Sequence, residues 1–303
     1  MSVGPAWFDE RIATGKPIIL DGGTGTGLET RGVPMVPKGW SVMAQLEYPE
    51  ILHRLHTDYI ESGAEVIITN TFGAGRHLLE PGGLGSSVED AHRLATEIAL
   101  RARADAGKPV VVAGSISHYM ADGTDQYWLD HLSDTYQEQV SLLVESGVDV
   151  IVLEMMEHPV LAIPAIDAAK AGGLPVWLGV SSRQTTEGLM TSYGGEDIDM
   201  RSSFQTMIER TVDAVFVMHT AVPDVTPTIE LVNQYWDGPL GVYPESGYYR
   251  EPNWQFVDII GPSDLAAHAQ EWVELGARMV GGCCGLDTEH LDALKNSLTA
   301  SVD

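Results

Sequence analysis

The sequence predicts a single (β/α)8 barrel, an α/β fold of one domain spanning residues 1–303. Three observations predict it. The length of 303 residues suits one such barrel, which commonly runs to about 250 residues. Eight short, β-branched apolar runs recur along the chain, and continuous apolar runs suit parallel strands buried on both faces. Segments with helical spacing separate them, several stopping at a glycine just before the next run.

The runs are Pro17–Leu20, Glu65–Thr69, Pro109–Ala113, Val148–Leu153, Pro175–Val180, Ala214–Met218, Leu240–Tyr243 and Arg278–Val280. Helical spacing is clearest over Ile51–Ser62, where Ile51, Leu55, Tyr59 and Ile60 share one stripe. Val88–Ala106, Leu132–Ser146 and Leu265–Leu275 read the same way, and Gly63, Gly147 and Gly276 are the expected stops. An open doubly wound sheet is the alternative arrangement of the same alternation. In a barrel the active site gathers where strands end and loops lead into helices. The residues there are Asp21-Gly22-Gly23, Asn70-Thr71-Phe72, Gly114-Ser115, Glu154, Ser181-Ser182, His219-Thr220, Pro244–Gly247 and Gly281–Gly285.

Composition narrows the function. Hydrophobic residues make up 44% of the chain, enough for a large core, and the net charge is -26. That charge argues against nucleic acid and against anionic membrane surfaces, both of which need clustered Lys and Arg. A strongly solvated surface is its plain consequence. No basic-then-apolar leader and no run of about 18 apolar residues occurs. The two cysteines are adjacent, which excludes a disulfide framework and fits a reducing cytoplasm.

The strongest local signal is Gly281-Gly282-Cys283-Cys284-Gly285. Flanking glycines let the backbone turn sharply, and neighbouring cysteines rarely bond to each other because the ring strains the peptide. Two thiolates at a strand end suit zinc; two small buried apolar residues are the alternative. A catalytic zinc usually has three protein ligands and one open position. No third cysteine exists, and His219, directly after the sixth run, is the best-placed candidate. The Asp21–Gly27 stretch is rich in glycine, but its spacing is not G-x-G-x-x-G. A long irregular segment follows it where a dinucleotide fold would open a helix at once. The glycines instead allow a ligand to approach the backbone.

These motifs, in this order, resemble the homocysteine S-methyltransferase family over about the whole chain. The landmarks are Leu20–Glu29, Trp40-Ser41, Pro49-Glu50 with Leu55-His56, Thr69–Phe72, Gly114-Ser115-Ile116, Leu153-Glu154, Val242–Gly247 and Gly281–Gly285. The resemblance implies a homocysteine-binding (β/α)8 barrel in which three cysteines hold zinc and the substrate thiolate completes the site. Cys283 and Cys284 match two of them, and the family's third cysteine aligns with His219 in Phe216–Thr220. The acceptor's amino group is then met by groups matching Asp21, Gly22 and Glu154. Trp40 falls at an aromatic contact to the methyl donor, and Asn70 belongs to a motif at the same end.

The implied activity moves a methyl group from a sulfonium or quaternary ammonium donor to a thiol, by default homocysteine giving methionine. The metal site carries the chemistry without a further catalytic residue. Trp40, Tyr119, Tyr127, Trp128, Tyr248, Tyr249 and Trp254 lie in segments able to reach the mouth and hold a cationic donor. Partners are the two small molecules; a methylated corrinoid protein as donor, a homo-oligomer, and a non-catalytic zinc- or thiol-binding homologue stay open. Three departures bear on the substrate. His219 for cysteine makes the site formally neutral instead of -1, so a bound thiol ionises more readily but attacks less strongly. Glu245 stands for an Asn, and Met155 for a Thr after Glu154.

Overall fold

The chain is described by a computed structural model covering residues 2–119, 126–192 and 198–299, with the backbone alone for 126–128 and 299. The described strands are β1 (Ile18–Ile19), β2 (Val66–Ile68), β3 (Val111–Ser117), β4 (Val150–Glu154), β5 (Val176–Val180), β6 (Ser182–Gln184), β7 (Met190–Ser192), β8 (Ala214–Ala221), β9 (Leu240–Glu245), β10 (Tyr248–Arg250), β11 (Asn253–Gln255) and β12 (Ala277–Val280). Eight of them form one sheet in the order β1-β12-β9-β8-β5-β4-β3-β2. Every pairing in it is parallel. Its two edges meet: Leu20 bridges Val66, and the Glu65 N–H donates to the Ile19 carbonyl at 2.7 Å. The sheet therefore closes into the expected (β/α)8 barrel, and each of the eight apolar runs supplies one strand.

The strands alternate between two apolar environments, as a period of two requires. Ile18, Leu20, Val66, Ile68, Val111, Ala113, Val150, Val152, Phe216 and Met218 fill the barrel interior. Ile19, Ile67, Val112, Ile151, Leu153, Val215 and Val217 face the surrounding helices. The N-terminal helix Ala6–Ala13 lies against the start of the barrel. Phe8 stacks on Trp177, and Trp177 stacks on Phe216, with ring centroids 5.7 and 5.1 Å apart. The Trp177 indole N–H donates to the Val3 carbonyl at 2.8 Å. This aromatic column stoppers that end of the barrel.

The predicted helices are present as Pro49–Ser62, Val88–Ala106, Gln126–Ser146 and Pro262–Glu274. Pro49 and Pro262 start two of them, a position where the missing N–H costs nothing. Gly63, Gly147 and Gly276 leave their helices with φ of 112°, 93° and 113°, the left-handed stop. One expectation is corrected. A short helix, Thr24–Thr30, opens directly after Gly23, and the irregular segment begins only at Arg31. Tertiary packing overrides the poor helix propensity of its glycines. A Cβ on Gly25 would stand 2.6 Å from Trp40, and one on Gly27 would stand 2.7 Å from the Tyr59 hydroxyl. The hairpins β6–β7 and β10–β11 sit beyond the C-terminal ends of β5 and β9. Among the described residues no helix is long and apolar enough to cross a membrane.

Candidate metal centre and active site

His219, Cys283 and Cys284 come together at the C-terminal end of the barrel. Their ligating atoms all lie within 4.8 Å of one another, and all three residues are buried. The Cys283 and Cys284 Sγ atoms are 3.7 Å apart, and His219 Nδ1 lies 3.3 Å from Cys283 Sγ. The group can hold a metal ion.

Local structure explains how each ligand arrives. The loop after β12 is pinned on both sides. The Gly281, Gly282 and Cys283 N–H groups donate to the carbonyls of Val242, Asp21 and Pro244, and the Ser246 N–H donates to the Cys284 carbonyl. Gly285 has φ of 80°, and a Cβ there would stand 2.0 Å from the Ser246 carbonyl oxygen, so only glycine fits. His219 is turned by a different device. Along β8, Phe216 and Met218 point into the barrel, so regular alternation would send His219 outward. The β8–β9 register shifts between Met218 and Ala221, and His219 has φ of 45°. This bulge swings the imidazole inward.

The electrostatics follow from burial. Burial pushes the Cys283 thiol well above its ordinary pKa, as does neighbouring Cys284, while His219 pulls it down. For Cys284 the hydrogen bond from Cys283 lowers the pKa, but burial with Glu245 and Glu154 leaves it raised. His219 loses hydration, yet Cys283 and Glu154 outweigh that and raise it well above the usual imidazole value. Its Nε2 is 2.8 Å from Glu154 Oε2. Burial raises the Asp21 carboxyl in the same way, with Glu154 adding to the shift.

Beside these three side chains lies a pocket lined by Gly23, Gly25, Trp40, Asn70, Phe72, Glu154 and Tyr243, among others. Its cavity volume is about 40 Å³. Of the expected substrate contacts, Trp40, Asn70 and Glu154 line it. Asp21 is fully buried behind it: its Oδ2 accepts the Ile68 N–H at 2.7 Å and its Oδ1 the Tyr243 hydroxyl at 2.9 Å. Gly22 packs against Tyr59 and Leu286, with no room for a Cβ. Asn70 is knotted to the Trp40-Ser41 turn. Its Nδ2 donates to the Ser41 carbonyl and to Gln45 Oε1, and its Oδ1 accepts the Ser41 hydroxyl.

Comparison with known proteins gives the site its context. The family model for homocysteine S-methyltransferase matches residues 18–298. The chain belongs to the homocysteine S-methyltransferase family. It is similar to homocysteine S-methyltransferase 2 of Zea mays, 29% identical with 97% of this chain and 93% of that protein covered. Selenocysteine Se-methyltransferase of Brassica oleracea var. italica is 26% identical, covering 95% of this chain and 90% of that one. The solved homocysteine methyltransferase MmuM from Escherichia coli, in its metallated form, superposes with a TM-score of 0.75 at 24% identity, covering 93% and 96% of the two chains. The fold is therefore shared from end to end, and the chain is a methyltransferase.

At the mouth of this homocysteine S-methyltransferase family barrel the aromatic side chains form one connected group. Trp40 meets Phe72 and Tyr249 with centroids 6.3 and 6.1 Å apart, and Tyr119 meets Phe72 and Tyr249 at 5.3 and 6.1 Å. Trp254 is buried and donates to the Ser246 carbonyl at 3.0 Å, while Tyr248 is half exposed. The side chains of Tyr127 and Trp128 lie outside the described residues. Phe72 was expected at the active-site end of its strand but not among the aromatic contacts, yet its ring is 5.1 Å from His219. Its place directly after Asn70-Thr71 at a strand end was the available signal. Ser115 and Tyr243, which hold Glu154 and Asp21, were also missed as supports.

Proposed function

We propose that this protein transfers a methyl group from a sulfonium or quaternary ammonium donor to a thiol, by default homocysteine giving methionine, with zinc held by His219, Cys283 and Cys284. The observation that carries this reading is the spacing of the three donor atoms on the floor of the pocket. Two thiolates on a tetrahedral zinc, each about 2.3 Å away, stand about 3.8 Å apart, and a thiolate and an imidazole nitrogen about 3.6 Å. Here Cys283 Sγ stands 3.7 Å from Cys284 Sγ and 3.3 Å from His219 Nδ1, and all three donor atoms lie within 4.8 Å of one another. Two sulfurs and one nitrogen are donors that zinc favours, and three protein ligands leave one position for substrate.

A zinc held by His219, Cys283 and Cys284 would supply the Lewis acidity that lowers the pKa of an acceptor thiol. The barrel does the rest by positioning. Gly23 and Gly25 line the pocket and make room for the Cys283 carbonyl and the Trp40 ring, with Glu154 beside the acceptor and Asp21 and Gly22 supporting that wall from behind. Trp40, Phe72, Tyr119 and Tyr249 offer aromatic faces to a cationic donor. Asn70 fixes the turn that carries Trp40. As the new sulfur–carbon bond forms, the donor's bond to the methyl breaks and the donor leaves neutral. The buried free cysteines fit a reducing cytoplasm.

The test pairs metal analysis with a substrate screen. About one zinc per chain, lost in Cys284→Ala and His219→Ala, is expected, together with methylation of homocysteine by S-methylmethionine, S-adenosylmethionine, betaine or dimethylsulfoniopropionate. Full activity in metal-free protein would sink the mechanism. Turnover with methylcobalamin alone would point to a corrinoid protein as donor. Thiol binding with no turnover on any donor would leave a binding protein.

A further inference from the structure

A cysteine ligand has one donor atom and nothing else to orient. A histidine ligand has two ring nitrogens, and the one that faces away decides the tautomer and the angle of the ring. In this chain that second nitrogen has a partner. His219 Nε2 lies 2.8 Å from Glu154 Oε2, and both side chains are almost fully buried, at 7% and 5% exposure. His219 Nδ1 is left on the side of the sulfurs, 3.3 Å from Cys283 Sγ against 4.0 Å for Nε2.

Glu154 is itself held. Its Oε1 accepts the Ser115 hydroxyl, and the Ser115 N–H donates to Thr69 Oγ1 at 3.1 Å. Regular strand geometry puts both partners in place. On β4, Val150 and Val152 face the barrel interior, and on β3, Val111 and Ala113 do. Glu154 and Ser115 continue those two series, and Ser115 pairs with Val152 in the β3–β4 register. His219, by contrast, is brought in by a bulge with a left-handed backbone. The strand alone does not set the direction of its ring.

We propose that Glu154 is the positioning residue for His219, accepting the Nε2 proton so that an unprotonated Nδ1 faces the two cysteines, with Ser115 clamping the carboxylate. This rests on the reading of His219, Cys283 and Cys284 as the metal site. It assigns Glu154 a duty that arises only because a histidine stands where a third cysteine would need no such partner.

The experiment measures zinc affinity by competition with a chelator, and the visible spectrum of the cobalt(II)-substituted protein. It uses Glu154→Ala, Glu154→Gln and Ser115→Ala, each in the native background and in a His219→Cys background. Loss of a carboxylate that orients a ligating histidine typically weakens metal binding about 10- to 100-fold. Glu154→Ala is expected to fall in that range with altered cobalt bands. Glu154→Gln, whose amide oxygen can still accept, and Ser115→Ala are expected to lose less. In the His219→Cys background Glu154→Ala is expected to leave both readouts unchanged, because no imidazole remains to be oriented. Equal loss in both backgrounds, or no loss in the native one, overturns the proposal, the latter result leaving Glu154 as a substrate contact. A native chain that takes up no zinc or cobalt overturns the metal-site reading as well, which separates the two failures.

Discussion

The Tyr243 hydroxyl lies 2.9 Å from Asp21 Oδ1 and 2.8 Å from the Gly22 carbonyl oxygen. A single side chain on β9 thereby ties down the turn that follows β1, on the opposite side of β12 in the sheet. Removing that hydroxyl leaves buried acceptors unsatisfied, a loss of about 1–3 kcal/mol. Tyr243→Phe is therefore expected to lower Tm by a few degrees and to raise the acceptor KM, because the turn forms one wall of the pocket. Unchanged KM and Tm would show that the turn holds itself.

The aromatic group at the mouth predicts a dependence on donor charge. Each ring facing a desolvated cation contributes about 0.5–2 kcal/mol, or about 2- to 30-fold in affinity. Trp40→Leu and Tyr249→Leu should raise the donor KM within that range for a sulfonium or quaternary ammonium compound. Zinc content should stay at the native level. A neutral donor analogue used as a competitive inhibitor should lose little, and equal losses for both ligands would refute a cation site.

Gly285 makes the cysteine pair sensitive to one methyl group. With φ of 80° and a Cβ 2.0 Å from the Ser246 carbonyl oxygen, Gly285→Ala forces the loop to move. The left-handed conformation alone costs about 1–2 kcal/mol for a residue with a Cβ. The expected result is a lower Tm and weaker zinc retention under chelator, read on the same sample. Native zinc affinity would mean the loop can shift without moving Cys283 and Cys284.

Buried histidines give the stability a pH dependence. Burial takes His56 down to about 3, and burial with nearby His77 and His158 takes His118 to about 3. Burial takes His77 to about 4, against a hydrogen bond to the Tyr119 carbonyl that raises it. Each is neutral in the fold and protonates near 6.5 when unfolded. The unfolded chain therefore binds more protons below that pH, and stability falls as pH drops from about 6.5 towards these folded values, by up to about 1.4 kcal/mol per unit for each group. Urea unfolding at pH 7.5, 6.0 and 5.0 should show His56→Gln with a shallower slope than the native chain. Identical slopes would place the effect elsewhere.

The strands were legible because each is an apolar run between helical patterns, and even the order of polar residues at their ends carried over to the pocket. Gly63 marked the end of one helix, which begins at Pro49, two residues before the expected Ile51. The hairpins were not legible: Ser182-Arg183-Gln184 and Tyr248-Tyr249-Arg250 are short and largely polar or exposed, without a core face to impose a period. At the site, the cysteine pair announced itself through its glycines. His219 was found by its place at a strand end and by alignment with a missing cysteine, but its direction was hidden. Counting by twos along β8 points it away from the pocket, and only the bulge reverses that. Asp21 and Asn70 carry the chemistry expected of contacts, yet Asp21 has both oxygens and Asn70 its whole amide engaged by neighbouring protein groups. Sequence shows which polar groups are present, and only packing shows which are already satisfied.

The column of Phe8, Trp177 and Phe216 fills one end of this barrel, and the pocket lies at the other. Under the proposed function, donor and acceptor both enter past the aromatic rings at that mouth. On that reading a thiol held at Cys283, Cys284 and His219 sits deeper in the barrel than a donor held by the rings.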